Sequence, residues 1–232
     1  MAVLGLDACK NGWAVVVADE SGFVNAFVAS TAGDALASAS KRWLVDAMVI
    51  DIPIGIPDSG PRQADIEARA FIGPRRSSVF STPVRAAVEA RTYDEARIAS
   101  VTATGGTSLS KQAWAITPRI AEVNAGASQA PAGVLVREGH PEVSFRGMAG
   151  APLDDYKKSV AGALQRWELL AAQGIELPRS IDRARLPGVA LDDLFDAGAM
   201  AWTALRVASG EAQCLPGEPE VFSDGWQSAI WF

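Results

Sequence analysis

Two aspartates stand where apolar strands are predicted to end. Asp7 follows the run Val3-Leu4-Gly5-Leu6, and Asp51 follows Ala47-Met48-Val49-Ile50. If the two strands are parallel neighbours, both carboxylates emerge at the edge where open α/β sheets place ligands. A charge buried there is unfavourable unless it is paired or bound to metal. The structural alternative is that each Asp closes its strand by hydrogen bonding to its own backbone.

A second pair of acids lies on a predicted helix near the C-terminus. Asp193 and Asp196 are three residues apart and therefore share one helix face. Asp196 lies in an otherwise apolar stretch that continues through Ala197 and Met200, so we expect its carboxylate to point into a packed pocket that a metal ion neutralises. For Asp193 the alternative is a first-turn acid that complements the helix dipole.

A fifth acid follows a short predicted strand, in the sequence Glu138-Gly139-His140-Pro141-Glu142. Glu142 is a candidate hard-oxygen ligand for a divalent cation. His140 is the chain's single histidine and is a candidate for orienting a water molecule or a phosphate. A lone histidine is more often structural, because catalytic work by histidine needs a partner.

The first 52 residues predict a mixed sheet that positions these acids. Turn residues separate the apolar runs, and Pro53 and Pro57 end the last of them. The order is strand, strand, strand, helix, strand, which is typical of an α/β fold with a crossover helix. The predicted elements are strands at 2–8, 12–18 and 23–29, a helix at 31–42 and a strand at 46–51.

The rest of the chain predicts mainly helices within a single domain spanning residues 1–232. A helical insertion is expected after the fourth strand, at about 61–125, and an Asp224-Gly225 turn indicates a C-terminal hairpin. The predicted elements are helices at 61–72, 83–103 and 109–125, a strand at 133–138, and helices at 154–173 and 191–208 that end at glycines.

Composition narrows the classes of function. The net charge of −6 disfavours tight nonspecific binding to nucleic acid, but residues 62–119 carry nine Lys or Arg against five Asp or Glu, so a polyanion should bind there.

Two cysteines without metal spacing exclude a cysteine-ligated zinc site and fit a reducing compartment. The N-terminus lacks the features of a secretory signal, and no apolar stretch is long enough to span a membrane. We therefore expect a cytoplasmic protein.

A set of short motifs extends along nearly the whole chain. They are Gly5-Leu6-Asp7, Asn11-Gly12-Trp13, Asp51-Ile52-Pro53-Ile54-Gly55-Ile56-Pro57, Arg75-Arg76-Ser77-Ser78-Val79-Phe80, Ser110-Lys111-Gln112, His140-Pro141-Glu142, Asp196-Ala197 and Ala201-Trp202-Thr203-Ala204. Together they resemble a domain-of-unknown-function family described as predicted ribonuclease-H-like nucleases. The resemblance implies a ribonuclease-H-like mixed sheet flanked by helices. Asp193-Leu194-Phe195-Asp196-Ala197 is also similar to the final-helix motif of RuvC-like Holliday-junction resolvases, in which both acids are active-site residues.

The resemblance and the acids together suggest metal-dependent phosphodiester hydrolysis by a two-metal mechanism with Mg²⁺ or Mn²⁺. Substrate phosphates would meet cationic side chains of the positive segment, with hydroxyl or backbone N–H groups from Ser77 and Ser78. A solvated loop is the structural alternative for that segment. The candidate metal ligands are Asp7, Asp51, Glu142 and Asp196, with Asp193 as a further catalytic acid. The candidate substrate-binding residues are Arg75, Arg76, Ser78, Lys111 and His140.

Two other classes of protein compete with the nuclease hypothesis. Actin-like and sugar-kinase folds share the opening topology, but they usually need two such domains and further glycine-rich phosphate loops. A degenerate nuclease fold that serves as a nucleic-acid or protein interaction module would keep its acids only as structural caps. The apolar end, Trp226 to Phe232, is expected to fold back on the sheet or to form a dimer interface, so both a monomer and a homodimer are possible.

Overall fold

The computed structural model describes residues 1–127, 130–178 and 186–232. Five strands form one mixed sheet in the order β3-β2-β1-β4-β5. β1 pairs antiparallel with β2 and parallel with β4, and β4 pairs parallel with β5. The predicted α/β fold is confirmed, and it is compatible with a ribonuclease-H-like arrangement. The strands are β1 (Ala2–Cys9), β2 (Gly12–Asp19), β3 (Gly22–Ala29), β4 (Val45–Ile50) and β5 (Leu135–Glu138).

Eight α-helices in the described residues accompany the sheet. Their bounds are α1 (Ala32–Ser40), α2 (Gln63–Ile72), α3 (Arg85–Val88), α4 (Tyr93–Thr104), α5 (Lys111–Ala127), α6 (Pro141–Ala149), α7 (Val160–Ala172) and α8 (Leu191–Ser209). A 3₁₀ helix, Gly73–Ser78, follows α2 directly. None of the helices in these described ranges is both long and apolar enough to cross a membrane.

Helices cover both faces of the sheet, which explains why the central strands are continuous apolar runs rather than alternating ones. On one face, Leu4 and Leu6 of β1 join a core cluster with Leu36 of α1 and with Ile120 and Val123 of α5. α5 is therefore part of the core, although it belongs to the segment predicted as an insertion.

α8 packs across β1, β2 and β4 on the other face. Its backbone lies directly against β1, because a Cβ atom added to Gly5 would be 2.0 Å from the Ala201 nitrogen and 2.2 Å from the Ala197 oxygen. Small residues on both elements permit this approach. The close packing sets where the acids of α8 stand relative to the end of β1.

The segment between β4 and β5 is helical, as predicted, but its helices differ in detail. The helix predicted at 83–103 is two helices, α3 and α4. The break arises because Thr92 begins a new helix with a capping box: its hydroxyl accepts from the Glu95 N–H, and the Glu95 carboxylate accepts from the Thr92 N–H.

Near the acids, the start of one helix was predicted wrongly and another helix was missed. The helix predicted at 154–173 begins only at Val160, because Ser159 caps it by accepting a hydrogen bond from the Gly162 N–H. The helix α6 was missed, although Pro141 at its start and Gly150 after its end are ordinary boundary signals.

The chain ends in the predicted hairpin, formed by β6 (Cys214–Val221) and β7 (Gln227–Trp231). Ile230 is buried, and the Phe232 ring lies 4.9 Å from the Phe71 ring of α2 between centroids. A single bridge from Trp231 to Gly139 places β7 beyond the end of β5. The apolar C-terminus is thus buried within its own chain, beside the sheet edge.

Candidate active site

The ends of the two central parallel strands bring Asp7 and Asp51 together. Leu6 pairs with Ile50 in parallel register, and the Asp51 N–H donates to the Leu6 carbonyl at 3.0 Å. Both aspartates continue the strand positions that face α8, the face of Val3 and Val49. The two strands are parallel neighbours, so the condition under which both carboxylates emerge at one edge is met.

α8 supplies the third carboxylate of this edge. Asp196 is 2% exposed, in the part of α8 that packs on β1. Its Oδ2 accepts from the Lys157 ammonium at 2.6 Å. Its Oδ1 is buried, and no partner for it exists among the described residues. A buried carboxylate oxygen without a partner is unusual in a folded protein and calls for an unseen water or ion.

The acids raise one another's pKa in this buried position. Burial, followed by repulsion from Asp196 and Asp51, raises the pKa of Asp7 well above its usual value. Burial likewise raises the pKa of Asp196 to about 6, although Lys157 opposes the shift. Such a cluster binds a proton or another cation at neutral pH more readily than isolated carboxylates do.

Asp193 lies at the start of α8 and has a structural task. Its Oδ2 accepts from the Ala190 N–H at 2.9 Å, which caps the helix. Burial raises the pKa of Asp193, while the hydrogen bond from Ala190 lowers it. The carboxylate also repels Asp7, so it lies within electrostatic range of the cluster. Both alternatives given by the sequence, a helix-terminal acid and a member of the site, fit this position.

Glu142 is held in a buried ion pair. Its Oε1 accepts from Arg166 Nη2 of α7 at 2.5 Å, and both side chains are buried. Arg166 also donates to the backbone carbonyls of Gly162 and Asp155. Glu142 still raises the pKa of Asp196, so it stands near the cluster. The prediction that Glu142 is a metal ligand stays a prediction, with one of its oxygens already engaged.

A family model described as a protein of unknown function, DUF429, matches residues 5–221 of the chain. The chain belongs to the DUF429 family. This match confirms the predicted domain-of-unknown-function family, and the matched region contains every acid described above. Neither the curated proteins nor the solved structures contain a match to this DUF429 chain.

Lys157 is the site residue that sequence reasoning missed in this DUF429 protein. It lies in the loop before α7, at residues that the sequence predicted to be helical. Burial lowers its pKa, but the Asp196 carboxylate more than offsets that effect and the pKa is raised. No periodicity marks a loop lysine as half-buried against an acid, and the sequence Asp154-Asp155-Tyr156-Lys157-Lys158 is typical of a solvated charged segment. Only the tertiary fold identifies it.

The predicted substrate-binding residues form two separate groups. Arg75 donates to the Asp154 carbonyl at 2.6 Å and lies 5.7 Å from the centre of the Tyr156 ring, next to Lys157 in sequence. His140 Nε2 is 3.4 Å from the carbonyl of Ser78, and its Nδ1 is buried without a partner among the described residues. These contacts tie the 3₁₀ segment to the elements that carry Glu142 and Lys157.

Arg76 and Lys111 complete the predicted set. Arg76 is exposed in the 3₁₀ segment, and Lys111 is exposed at the start of α5. Neither side chain forms a hydrogen bond or an ion pair within the described ranges 1–127, 130–178 and 186–232. Among the described residues, no hydrogen bond or ion pair therefore joins Lys111 to the acids.

Several cations of the positive segment are not free to bind phosphate. Arg62 is 1% exposed and pairs with Asp65 and Glu138, each at 2.7 Å. Glu138 also accepts from the Ile54 N–H at 2.8 Å. This network, which the sequence did not reveal, anchors the segment that follows Asp51. Arg85 and Arg119 are similarly engaged, with Asp58 and Asp224 and with the backbone carbonyls of Cys9 and Gly12.

In the part of the chain that the structure describes, no group of three or more His, Cys, Asp or Glu residues is arranged to hold a metal ion as it stands. Two of the acids, Asp196 and Glu142, are instead paired with Lys157 and Arg166. The chemistry of the donors still suits a hard divalent cation, because carboxylate oxygens are its preferred ligands. The unpartnered Asp196 Oδ1 is the atom that such a cation would satisfy.

Proposed function

We propose that this DUF429 chain is a divalent-metal-dependent nuclease that hydrolyses phosphodiester bonds. The observation that carries the proposal is the convergence of Asp7, Asp51 and Asp196 from three separate elements at one sheet edge, where Asp196 keeps a buried oxygen without a partner among the described residues. Clustered acids with raised pKa values are unfavourable for stability and are typical of functional sites, so this cluster is a site candidate.

Asp7, Asp51 and Asp196 would hold Mg²⁺ or Mn²⁺ in this proposal. When bound, the metal would lower the pKa of a water molecule and offset negative charge on the phosphate. The raised pKa values of Asp7 and Asp196 mean that binding of a cation displaces protons from the site. Glu142 and Asp193 remain candidate residues of the same site. In addition, Glu142 forms an ion pair with Arg166, and Asp193 caps α8.

Nucleic acid is the proposed substrate class. Arg75 lies beside the Lys157 loop, and Arg76 next to it is exposed, so the two guanidinium groups can meet phosphates close to the acids. Ser78, His140 and Lys111 remain candidate contacts. The net charge of −6 disfavours binding along a long stretch of nucleic acid. It favours contact with a few phosphates next to the acids. A cytoplasmic location, as a monomer or a homodimer, is proposed with this function.

One observation favours a second candidate, an inactive interaction module built on the same fold. Lys157 and Arg166 already neutralise Asp196 and Glu142, so part of the acidic charge is balanced without metal. In such a module the remaining acids would bind no divalent cation. Metal binding therefore discriminates between the two functions.

The test compares Asp196→Asn with the native protein and with Asp192→Asn, a control on the first turn of the same helix. Binding of Mn²⁺ is measured by isothermal titration, and cleavage of labelled single-stranded, duplex and branched nucleic acids is followed in parallel. We expect Asp196→Asn to weaken Mn²⁺ binding at least tenfold and to lower cleavage by a factor of at least about 100, comparable to the loss of one preorganised charged group. The Asp192→Asn control should keep both properties.

Native protein that neither binds Mn²⁺ nor cleaves any of the three substrates would overturn the nuclease proposal and support the interaction module. Cleavage that persists in Asp196→Asn at the native rate would also overturn it. The same assays on Asp7→Asn give a second, independent test at the end of β1.

A further inference from the structure

The Lys157 ammonium stands among the carboxylates where a cation would be expected. Its Nζ is 2.6 Å from Asp196 Oδ2, and it also interacts electrostatically with Asp7 and Asp51. The neighbouring Lys158 differs, because its side chain is 65% exposed and its ammonium is 4.0 Å from Asp192. Of these two consecutive lysines, only Lys157 is directed into the acidic cluster.

The loop that carries Lys157 is anchored to α7. The Ser159 N–H and hydroxyl both donate to the Tyr156 carbonyl at 2.8 Å. Arg166 donates to the Asp155 carbonyl at 3.3 Å. A Cβ atom on Gly162 would be 2.1 Å from the Tyr156 oxygen, so the loop lies directly on the helix. Lys157 is therefore positioned by backbone contacts on both sides of it in sequence.

Charge balance at the sheet edge indicates how many metal ions the site takes. Asp7, Asp51 and Asp196 have no arginine partner among the described residues, whereas Glu142 is neutralised by Arg166. Once bound protons are displaced, three ionised carboxylates against one lysine leave two negative charges, which a single divalent cation neutralises. Two divalent cations would leave an excess of positive charge before substrate binds.

The two carboxylate oxygens of Asp196 also indicate a single divalent cation. Oδ2 is occupied by Lys157, and Oδ1 is buried and without a partner in the described ranges. A carboxylate that bridges two metal ions would use both oxygens for metal. Here one oxygen faces the ammonium and one is left for a single ion.

We infer that the site takes one divalent cation and that the Lys157 ammonium holds the place of a second one. This replaces the two-metal arrangement that the sequence suggested. Resting on the proposed nuclease function, Lys157 would also donate a hydrogen bond to an oxygen of the substrate phosphate, as lysines do at phosphate sites. The metal stoichiometry does not depend on that role.

The test is the number of Mn²⁺ ions bound by the whole protein, by isothermal titration and by electron paramagnetic resonance of the bound ion. The native protein should bind one Mn²⁺ with the spectrum of an isolated ion. Lys157→Met removes the charge but keeps an unbranched side chain, and it should bind two ions, the first at least tenfold more tightly than native. Lys158→Met is the matched control, and it should bind one ion at native affinity.

Lys157→Arg keeps the positive charge and should still bind one ion, which separates loss of charge from damage to the loop. Far-ultraviolet circular dichroism checks that each variant is folded. The inference is overturned if the native protein binds two ions, or none, or if Lys157→Met binds one ion at native affinity.

Cleavage measured on the same samples distinguishes this inference from the proposed function. One bound ion in the native protein and two in Lys157→Met, without cleavage of any nucleic acid, would sink the nuclease proposal and leave the ion count standing. Cleavage by native protein that binds two ions would support the nuclease proposal and overturn the inference of a single ion.

Discussion

Single residues at the sheet edge are arranged at the expense of stability. Asp7 and Asp196 are buried with raised pKa values, and burial is the first cause of each. Asp19, at the end of β2, is the contrast, because hydrogen bonds from Ser21 lower its pKa. Asp19 is therefore the strand-closing aspartate that the structural alternative describes, whereas Asp7 shows the opposite environment.

We predict that Asp7→Asn stabilises the metal-free protein at pH 7.5, raising the free energy of unfolding by about 1 to 3 kcal/mol. The amide keeps the shape of the side chain and removes a buried charge. Urea unfolding of both proteins, in the presence of a chelator, measures the difference. Asp19→Asn is the control, and it should give no gain. Lower stability of Asp7→Asn at this pH would contradict the prediction.

The same comparison has a defined dependence on pH. An aspartate whose pKa is raised by folding contributes stability that is complete below its unfolded value, near 3.9, and is lost as pH rises through the folded value. For Asp196, this loss of stability therefore takes place between the unfolded pKa and the folded pKa of about 6. The advantage of Asp7→Asn should therefore shrink as pH falls from 7.5 towards 4, and a constant difference would exclude titration of Asp7 as its cause.

At the scale of secondary-structure elements, the close packing of α8 on β1 sets the positions of Asp7 and Asp196. The packing depends on Gly5, where any side chain would meet the helix backbone at Ala197 and Ala201. Asp196 precedes Ala197 directly, so a shift of α8 at this contact would displace its carboxylate. The geometry of the site is thus coupled to a contact between two backbones.

We predict that Gly5→Ala lowers the free energy of unfolding by about 2 to 4 kcal/mol. This is at the upper end of the usual cost of an overpacking substitution, because the added methyl group meets backbone atoms, which cannot move aside as a side chain can. Gly33→Ala is the control in α1, where the nearest atom to the added Cβ is 3.8 Å away. That control should be neutral or slightly stabilising, since alanine favours helix. Thermal unfolding measures both, and equal stability of the two variants would refute the packing argument.

Over the whole molecule, charge is distributed unevenly. The net charge is −6, yet the segment from 62 to 119 is positive. Folding divides this positive segment, because Arg62 is buried in an ion-pair network while Arg76 and Lys111 stay exposed. Its capacity to bind a polyanion therefore rests on a few residues rather than on the sum of its charges.

We predict that Arg76→Ala weakens binding of single-stranded nucleic acid and lowers the slope of log affinity against log salt by about 1, as expected when one phosphate contact is lost. The 3₁₀ segment that carries Arg76 contacts His140 and the Lys157 loop. Arg91→Ala, an exposed change ahead of α4, is the control. Fluorescence anisotropy at several salt concentrations measures both, and equal slopes for native protein and Arg76→Ala would contradict the prediction.

The sequence by itself determined the sheet and the placement of its acids. Apolar runs broken by turn residues predicted β1 to β4 closely, since strand periodicity and breakers are local signals. Asp7 and Asp51 followed from their positions at strand ends, and α8 followed from its apolar pattern and its terminal Gly210. Each of these features depends on residues adjacent in the chain.

Only the tertiary structure decided which charges meet. Lys157 reaches Asp196 across 39 positions, Arg62 reaches Glu138 across 76, and Arg166 reaches Glu142 across 24. Each of these pairs joins two different elements or loops, so no local spacing encodes it, and it forms only where the fold places the two charges close enough for their attraction to offset desolvation. For the same reason Lys157, which looks fully solvated in sequence, is a half-buried partner of Asp196 in the folded protein.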